Sequence, residues 1–411
     1  MYRISAKLFY GIFFTALILL GCKTEKKEPP SLLLISFDGF KHDYFEKTDT
    51  PNFDEFISNG VKAEALISVF PTKTFPNHYS IVTGLYPENS GLISNNMYDR
   101  EMDATYAIRD REAVENPDWY QGEPIWNTVE KNGLRAGTLF WVGSEAPIQN
   151  MRPVRWKIYD GGFPEEARID TVAQWLDKSS EEPVVNFATL YFSDVDSKGH
   201  RYGTESDSLI AAIQNADHLI GYLENKLRQH GLKDKVNIII VSDHGMADLS
   251  ADRVILIDEI IDLNRVHMID RTPVAMMNPE PEYKEEAYNR LKENEKMGYR
   301  VYKKENLPER LRIKNHHRTP EIIVIADIGY TITTNTRLDN FISSLPSATH
   351  GYDNREPEMF GIFLAGGPDF RNGLQTEPFE NIHIYELMSR LLNIEPAPND
   401  GDLETLRHIL K

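Results

Sequence analysis

Four stretches of the chain are apolar without interruption, and each stops at polar or glycine-containing residues. Residues 31–37 (SLLLISF) end at Asp38-Gly39, and residues 184–192 (VVNFATLYF) lead to Asp194 and Asp196. Residues 236–242 (VNIIIVS) lead to Asp243-His244-Gly245, and residues 359–365 (MFGIFLA) lead to Gly366-Gly367-Pro368. Runs of this length fit strands of a parallel sheet covered on both faces. Between them the period changes. Over 207–230, Leu209, Ala212, Ile213, Ala216, Leu219, Ile220, Leu223 and Leu227 recur at helical spacing, and Gly231 stands where a helix terminates. A second amphipathic helix is expected over 382–392, with Ile384, Leu387, Met388 and Leu391 on one face. The alternation predicts an α/β protein with a central, mostly parallel sheet flanked by helices. Residues 265–335 are highly charged, with short strand candidates at 272–277, 299–303 and 321–326, and read as a smaller inserted β/α subdomain.

The first residues follow another pattern. Arg3 and Lys7 precede an apolar run, Leu8 to Leu20, that is too short to span a bilayer comfortably, which takes about 20 residues. A basic start and a short apolar core predict an export signal over residues 1–22. Leu19-Leu20-Gly21-Cys22 resembles a bacterial lipobox, which implies lipidation of Cys22, the only cysteine of the chain. Residues 23–31 (KTEKKEPPS) read as a tether, and 32–411 as the folded body. The expected location is exported and lipid-anchored to a bacterial membrane.

Composition narrows the function. The 411 residues are 41% hydrophobic and 26% charged, an ordinary globular balance, and the net charge is −18. Such a surface repels phosphate backbones, so no nucleic-acid groove is expected. An acidic protein can still act on a phosphate ester if cations supply local positive charge.

In open α/β sheets, ligands bind beyond the carboxyl ends of the strands. That rule gathers Asp38, Asp196, Asp243 and His244 at one edge. With His200, four residues after Asp196, and His350 in HGYDN, there are three aspartates and three histidines. Oxygen and nitrogen donors without thiolate suit zinc or a similar divalent ion, and six are enough for two metals with three ligands each. His78, His316 and His317 read as packing or surface residues, and His218 and His230 as helix residues.

The segment FPTKTFPNHYSIVTGLYPENSG (70–91) closely resembles the nucleophile region of nucleotide pyrophosphatase/phosphodiesterases, members of the alkaline phosphatase superfamily. DSKGH, SDHGM and HGYDN resemble that family's metal motifs in the same order, and WYQGEPIW and TLFWVGSE look like further family segments. The resemblance implies an alkaline-phosphatase-like fold and a two-zinc hydrolase that releases nucleoside 5′-monophosphates through a phospho-threonine intermediate. Thr74 would be the nucleophile and would touch one metal. Asp196, His200 and His350 would hold one zinc, and Asp38, Asp243 and His244 the other. Asn95 would donate to a phosphate oxygen. Phe75 and Tyr191 would flank a nucleobase, with Trp141, Glu145 and Tyr159 at further pocket positions. Gln121 stands where many animal relatives carry lysine, and the cysteine-rich modules of the animal ectoenzymes have no counterpart, so the chain reads as a bare catalytic domain.

Alternatives are a threonine-nucleophile phosphomonoesterase, a phospholipid-type phosphodiesterase and a lipoprotein that binds phosphate esters without turnover. Related monoesterases place a Lys-x-Arg pair on the terminal phosphate, whereas Lys157-Ile158-Tyr159 lacks the arginine. A sulfatase is disfavoured, because no Cys-x-Pro-x-Arg string exists.

Overall fold

The computed structural model describes residues 31–179 and 184–411. Cys22 and the expected export signal lie outside the described residues. Eight strands make the central sheet: β1 (Leu32–Phe37), β2 (Val61–Ala63), β3 (Ala136–Leu139), β4 (Arg155–Trp156), β5 (Phe187–Phe192), β6 (Asn237–Val241), β7 (Phe363–Gly366) and β8 (Leu374–Thr376), in the order β8-β2-β7-β6-β1-β5-β3-β4. The helices that matter for the site are α1 (Thr74–Thr83), α2 (Glu165–Leu176), α3 (Asp194–Tyr202), α4 (Asp207–Gln229) and α5 (Ile384–Leu392).

β1 is the centre of the sheet and is buried along its whole length. It pairs in parallel with β5, from Leu32 opposite Phe187 to Phe37 opposite Phe192. On its other side it pairs in parallel with β6, from Leu32 opposite Asn237 to Ser36 opposite Val241. Successive side chains point to opposite faces. Leu32 and Leu34 therefore join one core, which also holds Ile81 and Val82 of α1 and the apolar face of α5. Leu33, Ile35 and Phe37 join the other, against the stripe Leu209 to Leu227 of α4. The Ser206 side chain caps α4 by accepting from Leu209 N, and Gly231 follows its end at φ 64°.

One strand departs from the sequence expectation. The run at 359–365 becomes β7, Phe363–Gly366, antiparallel to both β6 and β2. An apolar run reports burial on both faces but carries no direction. Its carboxyl end, Gly366-Gly367, consequently points away from the edge where β1, β5 and β6 end.

Within the inserted region, Val266–Asp270, Val274–Pro279, Tyr299–Lys303 and Ile322–Ala326 form a separate, wholly antiparallel sheet. Its Val266–Asp270 strand was not among the sequence candidates, because only Asp270 in it is buried.

Candidate active site

Beyond the carboxyl ends of β1, β5 and β6 the chain turns three times, and each turn delivers a ligand-type side chain. Asp38 follows β1. Asp196 lies in the first turn of α3, immediately after β5, and its amide donates to Asp38 O at 3.1 Å. Asp243 and His244 follow β6. The approach of α3 to the end of β1 requires Gly39, at φ 66°, because a Cβ there would lie 2.9 Å from Asp196 Cβ.

Asp196, His200 and His350 form the first cluster. Asp196 Oδ1 is 3.3 Å from His200 Nε2 and 3.8 Å from His350 Nε2. The four-residue spacing of Asp196 and His200 puts them on one face of α3. The second cluster is Asp38, Asp243 and His244, with His244 Nε2 3.0 Å from Asp243 Oδ2 and 3.5 Å from Asp38 Oδ1. The clusters abut: the His244 and His350 rings stack with centroids 3.5 Å apart, and ligand atoms of Asp38, Asp196 and His244 lie within 4.8 Å of one another.

Two observations show that this donor set fits cations. First, each of the three histidines directs Nδ1 at a backbone carbonyl: His200 at Ala348 O (2.9 Å), His350 at Thr72 O (2.8 Å) and His244 at Gly245 O (3.0 Å). A carbonyl only accepts, so Nδ1 donates to it in each case and Nε2 is the nitrogen that faces the carboxylates. Second, Asp38 Oδ1, Asp196 Oδ1 and Asp243 Oδ2 are buried without a hydrogen-bond partner. An uncompensated buried charge costs several kcal/mol, so lone pairs converging on orphaned carboxylates call for positive charge between them.

The electrostatics carry the same signature. Burial, with the charges of Asp243 and Asp196, raises the Asp38 carboxyl well above the usual range. Burial also opposes the charge on Asp243, but His244 and His78 outweigh it and hold that carboxyl well below the usual range. Burial, then His244 and His200, push His350 well down, so it is neutral and able to ligate. His200 moves up, because Asp196 overcomes the effect of burial.

Thr74 is the first residue of α1, and its Oγ1 lies 3.4 Å from His244 Nε2. The free amides of a helix N-terminus favour an anion there. The Asn95 side chain accepts from Phe75 N at 2.9 Å, which sets it beside the Thr74 turn. Tyr191, at the end of β5, donates its hydroxyl to Asp38 Oδ2 at 2.5 Å. Tyr159 is 41% exposed, with its ring 6.0 Å from that of Tyr191. Phe75 is partly buried, edge-on to Tyr106. Trp141 is different. It is 4% exposed, donates to His78 O at 2.9 Å and packs edge-on against the His78 ring. Little of its surface is left for a ligand, so it supports the site from behind. Glu145 is buried and paired with Arg111.

His78 is closer to the chemistry than the sequence suggested. It is fully buried, with Nε2 2.8 Å from Ser36 Oγ and Nδ1 2.9 Å from Thr74 O and 3.3 Å from Asp243 Oδ2. Asp38, His78 and Asp243 also satisfy the spacing of a metal-binding group. The available signal was its spacing of four from Thr74, one turn along the same helix face.

The model of the type I phosphodiesterase / nucleotide pyrophosphatase family matches residues 32–353. The chain belongs to this family. Relatives in the family include human ectonucleotide pyrophosphatase/phosphodiesterase family member 1, 37% identical over 93% of this chain and 42% of its own length. The bis(5′-adenosyl)-triphosphatase ENPP4 of Pongo abelii is 38% identical over 96% of this chain and 85% of that protein. The chain spans less than half the length of the first of these. Among solved structures, murine ectonucleotide pyrophosphatase/phosphodiesterase 5, an inactive variant in complex with AMP, superposes with a TM-score of 0.88 at 33% identity, covering 93% of this chain and all of that one. The family fold is alkaline-phosphatase-like, in agreement with the mostly parallel sheet described above.

Proposed function

We propose that this phosphodiesterase-family chain hydrolyses phosphodiester and pyrophosphate bonds of nucleotides and releases nucleoside 5′-monophosphates. The observation that carries the reading is the placement of Thr74 Oγ1 at a helix N-terminus, 3.4 Å from a histidine whose neighbouring carboxylate oxygens are orphaned. Asp196, His200 and His350 would hold one divalent ion, and Asp38, Asp243 and His244 a second; zinc suits these donors. When bound, such ions supply Lewis-acid charge stabilisation to the attacking and leaving oxygens.

The chain's own residues do the rest. Thr74 Oγ1 gives up its proton to solvent and attacks phosphorus, and the bond to the leaving oxygen breaks, giving a phospho-threonine ester and an alkoxide, which takes a proton from solvent, or a phosphate. Water then attacks phosphorus, the Thr74 Oγ–P bond breaks, and the nucleotide monophosphate departs as Thr74 regains its proton. The Asn95 amide nitrogen donates to a non-bridging oxygen while its carbonyl oxygen stays on Phe75 N. Phe75 and Tyr191, with Tyr159 at the open side, take the nucleobase by stacking. The complex of a structural relative with AMP supports this substrate class. Lys157-Ile158-Tyr159 lacks the arginine of the monoesterase Lys-x-Arg pair, which favours diesters over monoesters.

Hydrolysis of a p-nitrophenyl nucleotide ester, with and without chelator, tests the reading. Metal-dependent release of p-nitrophenol and nucleoside monophosphate is expected. Faster turnover of a monoester or of a choline-type diester would move the substrate class, and binding without turnover would make the chain a binding protein. We further propose export and lipid anchoring through Cys22. Among the described residues no helix is long and apolar enough to cross a membrane. Cys22→Ser is expected to move the protein from the membrane to the soluble fraction.

A further inference from the structure

Lys73, directly before Thr74, carries a cationic side chain that would be free to reach a phosphate if it were exposed. It is not. Its Nζ lies 2.5 Å from Asp270 Oδ2, and the two side chains are 6% and 9% exposed. Asp270 belongs to the inserted sheet, 197 positions further along the chain. The same Oδ2 accepts from Ser94 Oγ at 2.7 Å, while Oδ1 accepts from Asn96 Nδ2 at 3.3 Å and from Arg271 N at 2.9 Å. Ser94 and Asn96 flank Asn95, whose Oδ1 accepts from Phe75 N. The contacts close a ring: residues 73–75 are joined to residues 94–96 directly through Phe75 and Asn95, and again through Asp270.

The register explains the aim of this carboxylate. Between Met268 and Asp270 the pairing with the neighbouring strand shifts, so a bulge falls immediately before Asp270. Bulges redirect side chains out of a regular ladder. Here the redirected side chain leaves its own sheet and enters the gap between the nucleophile turn and the Asn95 loop.

We propose that Asp270 is a positioning residue that fixes the distance between Thr74 and Asn95. The inference rests on the reading of Thr74 as nucleophile and Asn95 as phosphate donor. Asp270 has Lys73, Ser94, Asn96 and the Arg271 amide as its side-chain partners, none of them a ligand-type residue of the two clusters. It holds the backbone on each side of the reacting phosphorus, where a displacement of about 1 Å is enough to cost 10²-fold in rate. Its loss should therefore lower kcat more than it raises KM, since of the stacking residues only Phe75 lies in the ring, while Tyr191 and Tyr159 lie outside it.

Asp270→Asn and Ser94→Ala test this in the full-length protein, with a p-nitrophenyl nucleotide ester as probe and with bound metal and thermal midpoint measured on each variant. Ser94→Ala removes one arm of the clamp without leaving Lys73 unpaired, so it remains informative if Asp270→Asn folds poorly. The expected result is a kcat lowered about 10- to 100-fold for Asp270→Asn and about 3- to 10-fold for Ser94→Ala. Any rise in KM should be smaller than the fall in kcat, metal content should be full, and Asp270→Glu should recover part of kcat. A kcat within twofold of wild type in both variants overturns the proposal, and so does a loss of kcat that tracks loss of metal or folded protein. Thr74→Ala is assayed alongside. If it keeps turnover, the nucleophile reading itself fails; if it is inactive while Asp270→Asn and Ser94→Ala keep full kcat, only the clamp fails.

Discussion

The two clusters around Thr74 use the same residue types and meet solvent differently. In the first, the side chains of Asp196, His200 and His350 are 17%, 39% and 8% exposed; in the second, Asp38, Asp243 and His244 are 2%, 0% and 0% exposed. The difference follows from the supporting elements. His200 sits near the end of α3, followed by the exposed Arg201 and Tyr202, while Asp38, Asp243 and His244 sit on turns at the ends of the central strands and are buried. Water can therefore reach the first cluster, where the proposed second step of hydrolysis would need it. The second is enclosed and adjoins Thr74, where under the proposed mechanism a proton-stripped hydroxyl would be stabilised. Enclosure also has a thermodynamic consequence. Its two carboxylates have no solvent to screen them, so the second cluster should depend more strongly on bound cations.

The most severe test of this division of labour is Thr74→Ala. It should lower kcat by more than about a thousandfold, the scale set by loss of other enzymic nucleophiles, and leave two metal equivalents bound. Loss of metal in that variant would make Thr74 a structural part of the enclosed cluster. Next in size are Asp243→Ala and His200→Ala. Each should lose one metal equivalent by elemental analysis. The enclosed-cluster variant should also lose thermal stability, while the open one stays near wild type. Equal stability losses would erase the distinction between the clusters.

Asp38 gives the comparison a sign. In the metal-free protein its folded-state pKa is raised, first by burial and then by Asp243 and Asp196. A carboxyl raised on folding supports stability below its unfolded value, about 3.9, and that support is lost as pH rises through the folded value. Chelated wild type should therefore lose stability as pH rises above about 4, and chelated Asp38→Asn should not. At pH 7 the chelated variant should be the more stable, on the order of 1–3 kcal/mol, the scale of an uncompensated buried polar group. With metal restored the order should reverse. Denaturant melts with and without chelator measure both signs, and an unchanged order would refute the idea that cations balance this cluster.

The legible parts of the molecule were those that local sequence controls. Asp38, Asp243 and His244 could be read because each comes directly after an apolar run, and parallel strands deliver the residues at their carboxyl ends to one edge. The α4 stripe from Leu209 to Leu227 could be read because helical burial repeats locally. Direction was not legible: nothing in MFGIFLA distinguishes a strand that runs with β6 from one that runs against it. Val266–Asp270 was missed because its exposed and half-buried positions mix polar with apolar residues. His78 was set aside because a lone buried histidine carries no mark of its neighbours. Asp270 could not be found at all, since its meaning depends on Lys73, Ser94 and Asn96, which only the tertiary fold brings to it.

The smallest expected effects separate metal support from substrate stacking at Tyr191. Its hydroxyl donates to Asp38 Oδ2, and burial, then the Asp38 charge, raise its pKa so that the proton stays in place. Tyr191→Phe keeps the ring and removes the donor. Outer-shell partners of metal ligands typically contribute 10- to 100-fold in affinity or activity. The enclosed cluster should accordingly bind its metal about tenfold more weakly, with KM for a nucleotide ester unchanged at saturating metal. Phe75→Ala should do the opposite. Base stacking on an aromatic side chain is worth about 1–3 kcal/mol, so KM for nucleotides should rise roughly tenfold while metal affinity and KM for a small aryl diester stay put. If Tyr191→Phe instead raises KM as Phe75→Ala does, its hydroxyl serves the nucleotide rather than Asp38, and the enclosed cluster loses the donor that reaches it from the pocket side.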